Sequence, residues 1–216
     1  MKTIYSSKVP FYANHADNMH CMLAVYRSIF DFFEQRKFDW DELEKLIGFE
    51  NGRAAWTVKI LSEMARGPYD IEMIEPFDYA RYLTEGESYL HELMSPEKLK
   101  WMLEHSNILD MDVFIPDFLR DVQYACRIAT NDDISRMLAG GRLVFVTLNS
   151  KALNEAEGYS DHAVLVIDER DEDFIIHDPG LPPRPYRVVA KSLLHKARGG
   201  DRSTGEVTGF KLKKPR

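Results

Sequence analysis

The chain has 216 residues, 44% of them hydrophobic and 29% charged, with a formal net charge of −7. These are globular values and exclude wholesale disorder. The acidic balance argues against a dedicated nucleic-acid binder, which carries a basic face. No run of 18 apolar residues is present, so no membrane-spanning segment is expected. The opening MKTIYSSKVPFY lacks an apolar core and is not expected to act as a secretory signal. Two cysteines, Cys21 and Cys126, cannot build a disulfide framework and fit a reducing, cytoplasmic setting.

In chain order, an entry segment from Lys8 to Tyr12 leads into a polar patch, Asn14 to His20. A helix is predicted from Cys21 to Phe33 (CMLAVYRSIFDFF), apolar almost all round and therefore buried on most faces. Asp17 or Asn18 is the expected cap. The stretch 36–131 reads as mostly helical. Helices are predicted over Asp41–Ile47, Arg53–Ala65, Pro96–His105 with Ser95 as cap, and Pro116–Ile128, with a short strand at Ile71–Ile74. The period then changes. A capped helix from Thr130 to Leu138 ends at Gly140-Gly141, and strands follow at Leu143–Leu148, His162–Ile167 and Asp173–Asp178. Tyr186–Val189 and Thr208–Leu212 are two more candidates. Helices first and strands later give an α+β chain. We read it as one domain, 1–216, with a nucleophile helix in 1–35, a helical cleft wall in 36–131, and a helix and sheet in 132–216.

Cys21 falls in the first turn of its helix, where unpaired N–H groups and the helix dipole favour a thiolate. A partner imidazole would raise the thiolate fraction and carry the proton to a leaving group. His162 is the best candidate. If the charged run Asp168–Glu172 is a five-residue hairpin loop, Ile167 pairs with Asp173 and His162 lies opposite Asp178. The carboxylate would then take the Nδ1–H of His162 and leave Nε2 for the sulfur. His177 points to the other face, with core packing as its expected role, and Cys126 is expected in the core on a helix.

These residues resemble the papain-like cysteine peptidases, and within them the bacteriocin-leader-processing (double-glycine-leader) group. The resemblance rests on Val9-Pro10-Phe11-Tyr12-Ala13-Asn14 followed by Cys21, on Tyr159-Ser160-Asp161-His162, and on His177-Asp178-Pro179-Gly180. It covers about half of the chain. It implies an α+β papain-like fold, with the Cys21 helix packed on a mostly antiparallel C-terminal sheet. It also implies Cys21 as nucleophile, His162 as base and acid, Asp178 as its orienter, and Asn14 where the family has an oxyanion-holding glutamine. Asn14 is one methylene shorter than glutamine, Met22 stands for a small residue, and Asp161 for a glycine. A peptide or protein substrate is implied, with no nucleic acid, membrane, cofactor or metal. The alternatives are a transglutaminase-like acyltransferase and a non-catalytic peptide-binding module. His15, His20 and Cys21 lie close together, but no second ligand cluster with zinc spacing accompanies them.

Overall fold

The computed structural model describes residues 8–50, 52–200 and 205–214. It is a mixed α+β structure built around one seven-stranded sheet. Helix α1 (Cys21–Glu34) is followed by α2 (Trp40–Ile47), α3 (Val58–Arg66) and strand β1 (Tyr69–Glu75). Then come α4 (Tyr79–Glu85), α5 (Glu87–Leu93), α6 (Pro96–His105), α7 (Ile115–Asp121) and β2 (Gln123–Cys126). The last part holds α8 (Asn131–Ala139), β3 (Leu143–Asn149), α9 (Ser150–Leu153), β4 (Asp161–Arg170), β5 (Asp173–Asp178), β6 (Arg184–Ala190), α10 (Lys191–Ala197) and β7 (Val207–Leu212).

Local chemistry sets several boundaries as expected. Ser95 caps α6 ahead of Pro96, and Thr130 and Asp133 form a reciprocal capping box on α8. Asp39 and Glu42 do the same for α2, which ends at Gly48 in the left-handed region, φ 78°. Helix α3 begins at Val58, five residues later than its apolar spacing suggests, because 53–57 is held by other bonds. Ala54 N–H donates to the His105 carbonyl and Trp56 N–H to Asn107 Oδ1.

The sheet order is β2-β1-β7-β3-β4-β5-β6, antiparallel except for the β1–β2 pair. Strands β3 and β4 read as unbroken apolar runs because both faces are covered. On one face Phe145, Leu165 and Phe210 pack with Leu23, Tyr26 and Ile29 of α1. On the other, Val144, Val146, Val164 and Val166 pack with Ile134, Met137 and Leu194 of α8 and α10. Helix α1 is thus buried beneath the sheet, as its all-round apolar sequence requires.

Three expectations are corrected. The stretch 36–131 is not only a helical wall, since β1 and β2 extend the sheet beyond β7. The helix predicted to run to Ile128 stops at Asp121, and Gln123–Cys126 pairs in parallel with β1. Cys126 is therefore exposed on an edge strand and is not a core residue. The loop Asp168–Glu172 is also shorter than expected. The strands continue until Arg170 pairs with Asp173, leaving a two-residue turn with Asp171 at φ 50°. Among the described residues, no helix is long and apolar enough to cross a membrane.

One feature of the core costs stability. Ile74 pairs with Val207, so the next residues along, Glu75 and Glu206, face each other across β1 and β7, and both are buried. Tyr79 donates to Glu75 (2.7 Å) and Thr57 to Glu206 (2.7 Å). The Tyr26 hydroxyl is buried within electrostatic range of Glu206 and has no hydrogen-bond partner among the described residues. Burial raises both carboxyls well above their ordinary range, and the Glu206 charge raises Glu75 further. The folded state therefore holds protons that the unfolded chain releases above about pH 4.5, and stability falls as pH rises from there through neutrality. Glu206→Gln removes one of these protons from the balance. Its Tm is expected to exceed that of the parent by about 4 °C or more at pH 8.5, with the gap shrinking towards pH 5, in a pH series of thermal melts.

Candidate active site

The segment ahead of α1 is tied to β5 and the loop after it. His177 Nε2 donates to the Val9 carbonyl (3.0 Å), and Asn14 N–H donates to the Pro179 carbonyl (2.8 Å). His177 Nδ1 accepts from Tyr186 N–H (3.3 Å), so both ring nitrogens are used. From Asn14 the chain turns back, with Asn18 N–H bonded to the His15 carbonyl and Asn18 at φ 62°. The Asn14 side chain braces this turn. Its Oδ1 accepts from His20 N–H (2.8 Å), and its Nδ2 donates to Asn18 Oδ1 (3.2 Å).

Helix α1 then opens at Cys21, with His20 as the residue before it. Neither Asp17 nor Asn18 caps it, which corrects the expected cap. Asp17 Oδ1 accepts from Met19 N–H and Asn18 Oδ1 from Asn14, and no side chain among the described residues caps α1. The first turn also holds no acidic residue. Among the described residues, no carboxylate is therefore bonded to the first-turn N–H groups where Cys21 sits.

His162 stands at the start of β4 and Asp178 at the end of β5. Their ring Nε2 and Oδ1 atoms are 2.8 Å apart, and both residues are buried. The register that joins them differs from the expected one. Moving the turn to Asp171-Glu172 displaces the pairing by three residues, which alone would put Asp178 on the face away from His162. An irregularity between Val166 and Asp168 leaves Ile167 outside the pairing and recovers one residue. Leu165 then pairs with His177, and Asp178 lies diagonally across from His162 on the same face. The ring is also turned the other way from the expectation. Nε2 meets the carboxylate, leaving Nδ1 for the sulfur.

The electrostatics tie three groups together. Burial works against a charged His162, but the hydrogen bond to Asp178 and the hydrogen bond and charge of Cys21 outweigh it. The imidazole is raised to about 9. Burial likewise opposes a charged Asp178, yet His162, Arg187 and the Gly180 N–H hold its carboxyl below the usual value. Arg187 Nη1 lies 2.8 Å from Asp178 Oδ2, while Nη2 donates to the Leu153 carbonyl. The Gly180 N–H donates to Oδ1 (3.1 Å), and a Cβ at Gly180 would lie 3.1 Å from that same oxygen, a tight contact that the glycine avoids.

Cys21, His162 and Asp178 are thus brought together. Asn14 is set in the turn leading to Cys21, with one amide proton committed to Asn18. Arg187 was not singled out from the sequence, and Gly180 entered only within the motif His177-Asp178-Pro179-Gly180. The signal for Arg187 was stoichiometric: a buried carboxylate with one oxygen on His162 needs a partner for the other, and a neighbouring strand carried arginines. Among the described residues, His15, Asp17 and His20 group three metal-ligating atoms.

The chain matches no family model and no curated protein.

Two outcomes follow from this geometry. The His162 Cε1 proton, followed by NMR, is expected to titrate near pH 9, and Asp178→Asn is expected to lower that midpoint by removing the carboxylate that opposes burial. Arg187→Met leaves Asp178 Oδ2 unpaired and is expected to cost about 3 kcal/mol in urea denaturation.

Proposed function

We propose that this protein is a cysteine peptidase-like hydrolase of papain-like fold, acting on a peptide or isopeptide bond in a reducing compartment. The observation that carries the reading is His162, which interacts with Cys21 on one side and Asp178 on the other. A nucleophile, a proton carrier and an orienting carboxylate form the minimum set for covalent acyl transfer.

In the first half-reaction the Cys21 thiolate attacks the carbonyl carbon, and a C–S bond forms. The backbone N–H of Cys21 and the second Asn14 amide proton serve the oxyanion. The His162 imidazolium gives its proton to the leaving amine as the C–N bond breaks. In the second, neutral His162 takes a proton from water, and the hydroxide adds to the thioester. The C–S bond then breaks, releasing a carboxylic acid and restoring the thiolate–imidazolium pair. Asp178 stays ionised throughout and holds the ring. An amine in place of water turns the same chemistry into a transglutaminase-like exchange. The engagement of Asn14 with Asn18 favours the non-catalytic binding module as the second reading.

The two cysteines supply the test. Cys126 is exposed and Cys21 only partly so, so accessibility alone makes Cys126 the faster to alkylate. Activation by His162 reverses the order. With iodoacetamide at pH 7 and peptide mapping, Cys21 is expected to label about tenfold faster than Cys126. His162→Ala is expected to abolish the advantage. Labelling of Cys21 no faster than Cys126, and indifferent to His162→Ala, rules out the hydrolase and leaves the binding module.

A further inference from the structure

The turn that leads into α1 carries a second cluster that the proposed chemistry does not use. His15 Nδ1 lies 3.1 Å from Asp17 Oδ2, and His20 Nδ1 lies 3.0 Å from Asp17 Oδ1. One ligand atom from each residue can be chosen so that all three lie within 4.8 Å of one another. We propose that His15, Asp17 and His20 form a binding site for a divalent transition-metal ion of the zinc class, separate from the Cys21–His162–Asp178 set.

The donor set is two imidazoles and one carboxylate, which suits zinc and its neighbours and leaves room for water as a fourth ligand. Metal–ligand bonds of about 2.0–2.1 Å put the donors of a tetrahedral ion roughly 3.3 Å apart. The two imidazoles meet different oxygens of Asp17, Oδ2 for His15 and Oδ1 for His20, so through Oδ1 only the His20–Asp17 edge is already near that length. Closing the other two edges needs movement of His15, whose side chain is 48% exposed. His20 is the fixed ligand, with its side chain only 5% exposed.

The surroundings of His20 match those of a ligand. A metal-bound histidine generally gives its other ring N–H to a carboxylate, which fixes the tautomer. His20 Nε2 lies 2.8 Å from Glu44 Oε1 on α2. With that proton on Nε2, an incoming cation that displaces the Nδ1 proton finds a lone pair directed at Asp17. His15 Nδ1 lies against the same carboxylate, so three potential ligand atoms gather in one place. Asp17 is oriented independently by Met19 N–H, which donates to Oδ1 (2.9 Å). The imidazoles are walled by aromatic rings. Trp40 lies edge-on to both, with centroids 6.0 Å from His15 and 5.3 Å from His20, and Phe49 is 4.7 Å from His20. The open side of the cluster faces solvent through His15 and Asp17, which gives an ion a way in.

The experiment uses the full chain freed of metal with a chelator, titrated with zinc chloride by calorimetry and with cobalt chloride by absorption. The parent is compared with His15→Ala, Asp17→Asn and Cys21→Ala. His15 and Asp17 are exposed enough to be replaced without loss of fold, which circular dichroism verifies. The expected result is one ion per chain with Kd of about 10 µM or tighter. His15→Ala and Asp17→Asn each weaken it by about tenfold or more, and Cys21→Ala leaves it unchanged. The cobalt spectrum shows no sulfur-to-metal charge-transfer band. The site is overturned by no saturable binding below about 1 mM zinc. Binding indifferent to His15→Ala and Asp17→Asn overturns it too. Binding lost in Cys21→Ala places the ion on the thiol and likewise overturns it, whatever the alkylation experiment has shown.

Discussion

Alternation of side chains along β4 and β5 is the constraint on which the candidate site depends. A strand turns each successive residue to the opposite face, so His162 and Asp178 meet only if the offset between their strands has the right parity. The turn at Asp171-Glu172 has the wrong parity by itself, and the irregularity at Ile167 corrects it. The apolar residues around them respond to the same choice. Val164, Val166 and Ile176 fill one core, while Leu165, Ile167 and Ile175 fill the other. A slip that separated His162 from Asp178 would also exchange the residues offered to the two cores. Burial of Val and Ile therefore enforces the register that the polar pair needs.

One strand positions both halves of the site, because β5 is used on both faces. His177 is turned one way and binds the Val9 carbonyl, anchoring the segment that leads to Cys21. Asp178 is turned the other way and binds His162. The next residue, Pro179, accepts the Asn14 N–H. The segment that leads to Cys21 and the imidazole of His162 are thus both referred to the tripeptide His177-Asp178-Pro179. Two of these three links are made by backbone atoms of the entry segment. Much of the placement of Cys21 therefore depends on main-chain geometry, with the side chain of Asn14 as the added brace.

What was legible in the sequence follows from how far each feature depends on distant partners. Strands β3 and β4 stand out because burial on both faces demands unbroken apolar runs, and α1 because it is apolar all round. The caps at Ser95 and Thr130 are local chemistry and were visible. Strand β2 was not. Four residues on an exposed edge carry no burial pattern, and Phe118, Leu119 and Val122 continue a helical spacing into it. Nor did Tyr69–Glu75 announce that it would join the sheet, since its partner β7 lies more than 130 residues away. Cys21, His162 and Asp178 were found through residue type and parity. The direct opposition expected of His162 and Asp178 was displaced by two residues, and their shared face survived only because two is even. His177 was assigned to core packing, and its two hydrogen bonds could not be read from a period.

The charge around the head of α1 is arranged on the same principle as its backbone. The chain is acidic, and Asp17 and Glu44 both lie close to the residue before Cys21. A carboxylate accepting from the first-turn N–H groups would stabilise the helix but would offset the positive end that a thiolate needs. Here those carboxylates are turned to the imidazoles of His15 and His20, and Asp17 takes the Met19 N–H, outside the helix. The stabilisation that a capping Asp17 would contribute, about 1 kcal/mol, is given up. Bonding Asn14 Oδ1 to His20 N–H holds the chain direction without placing a charge there. A neutral brace on the backbone and paired carboxylates beside it keep the approach to Cys21 ordered while leaving the field of the helix unopposed.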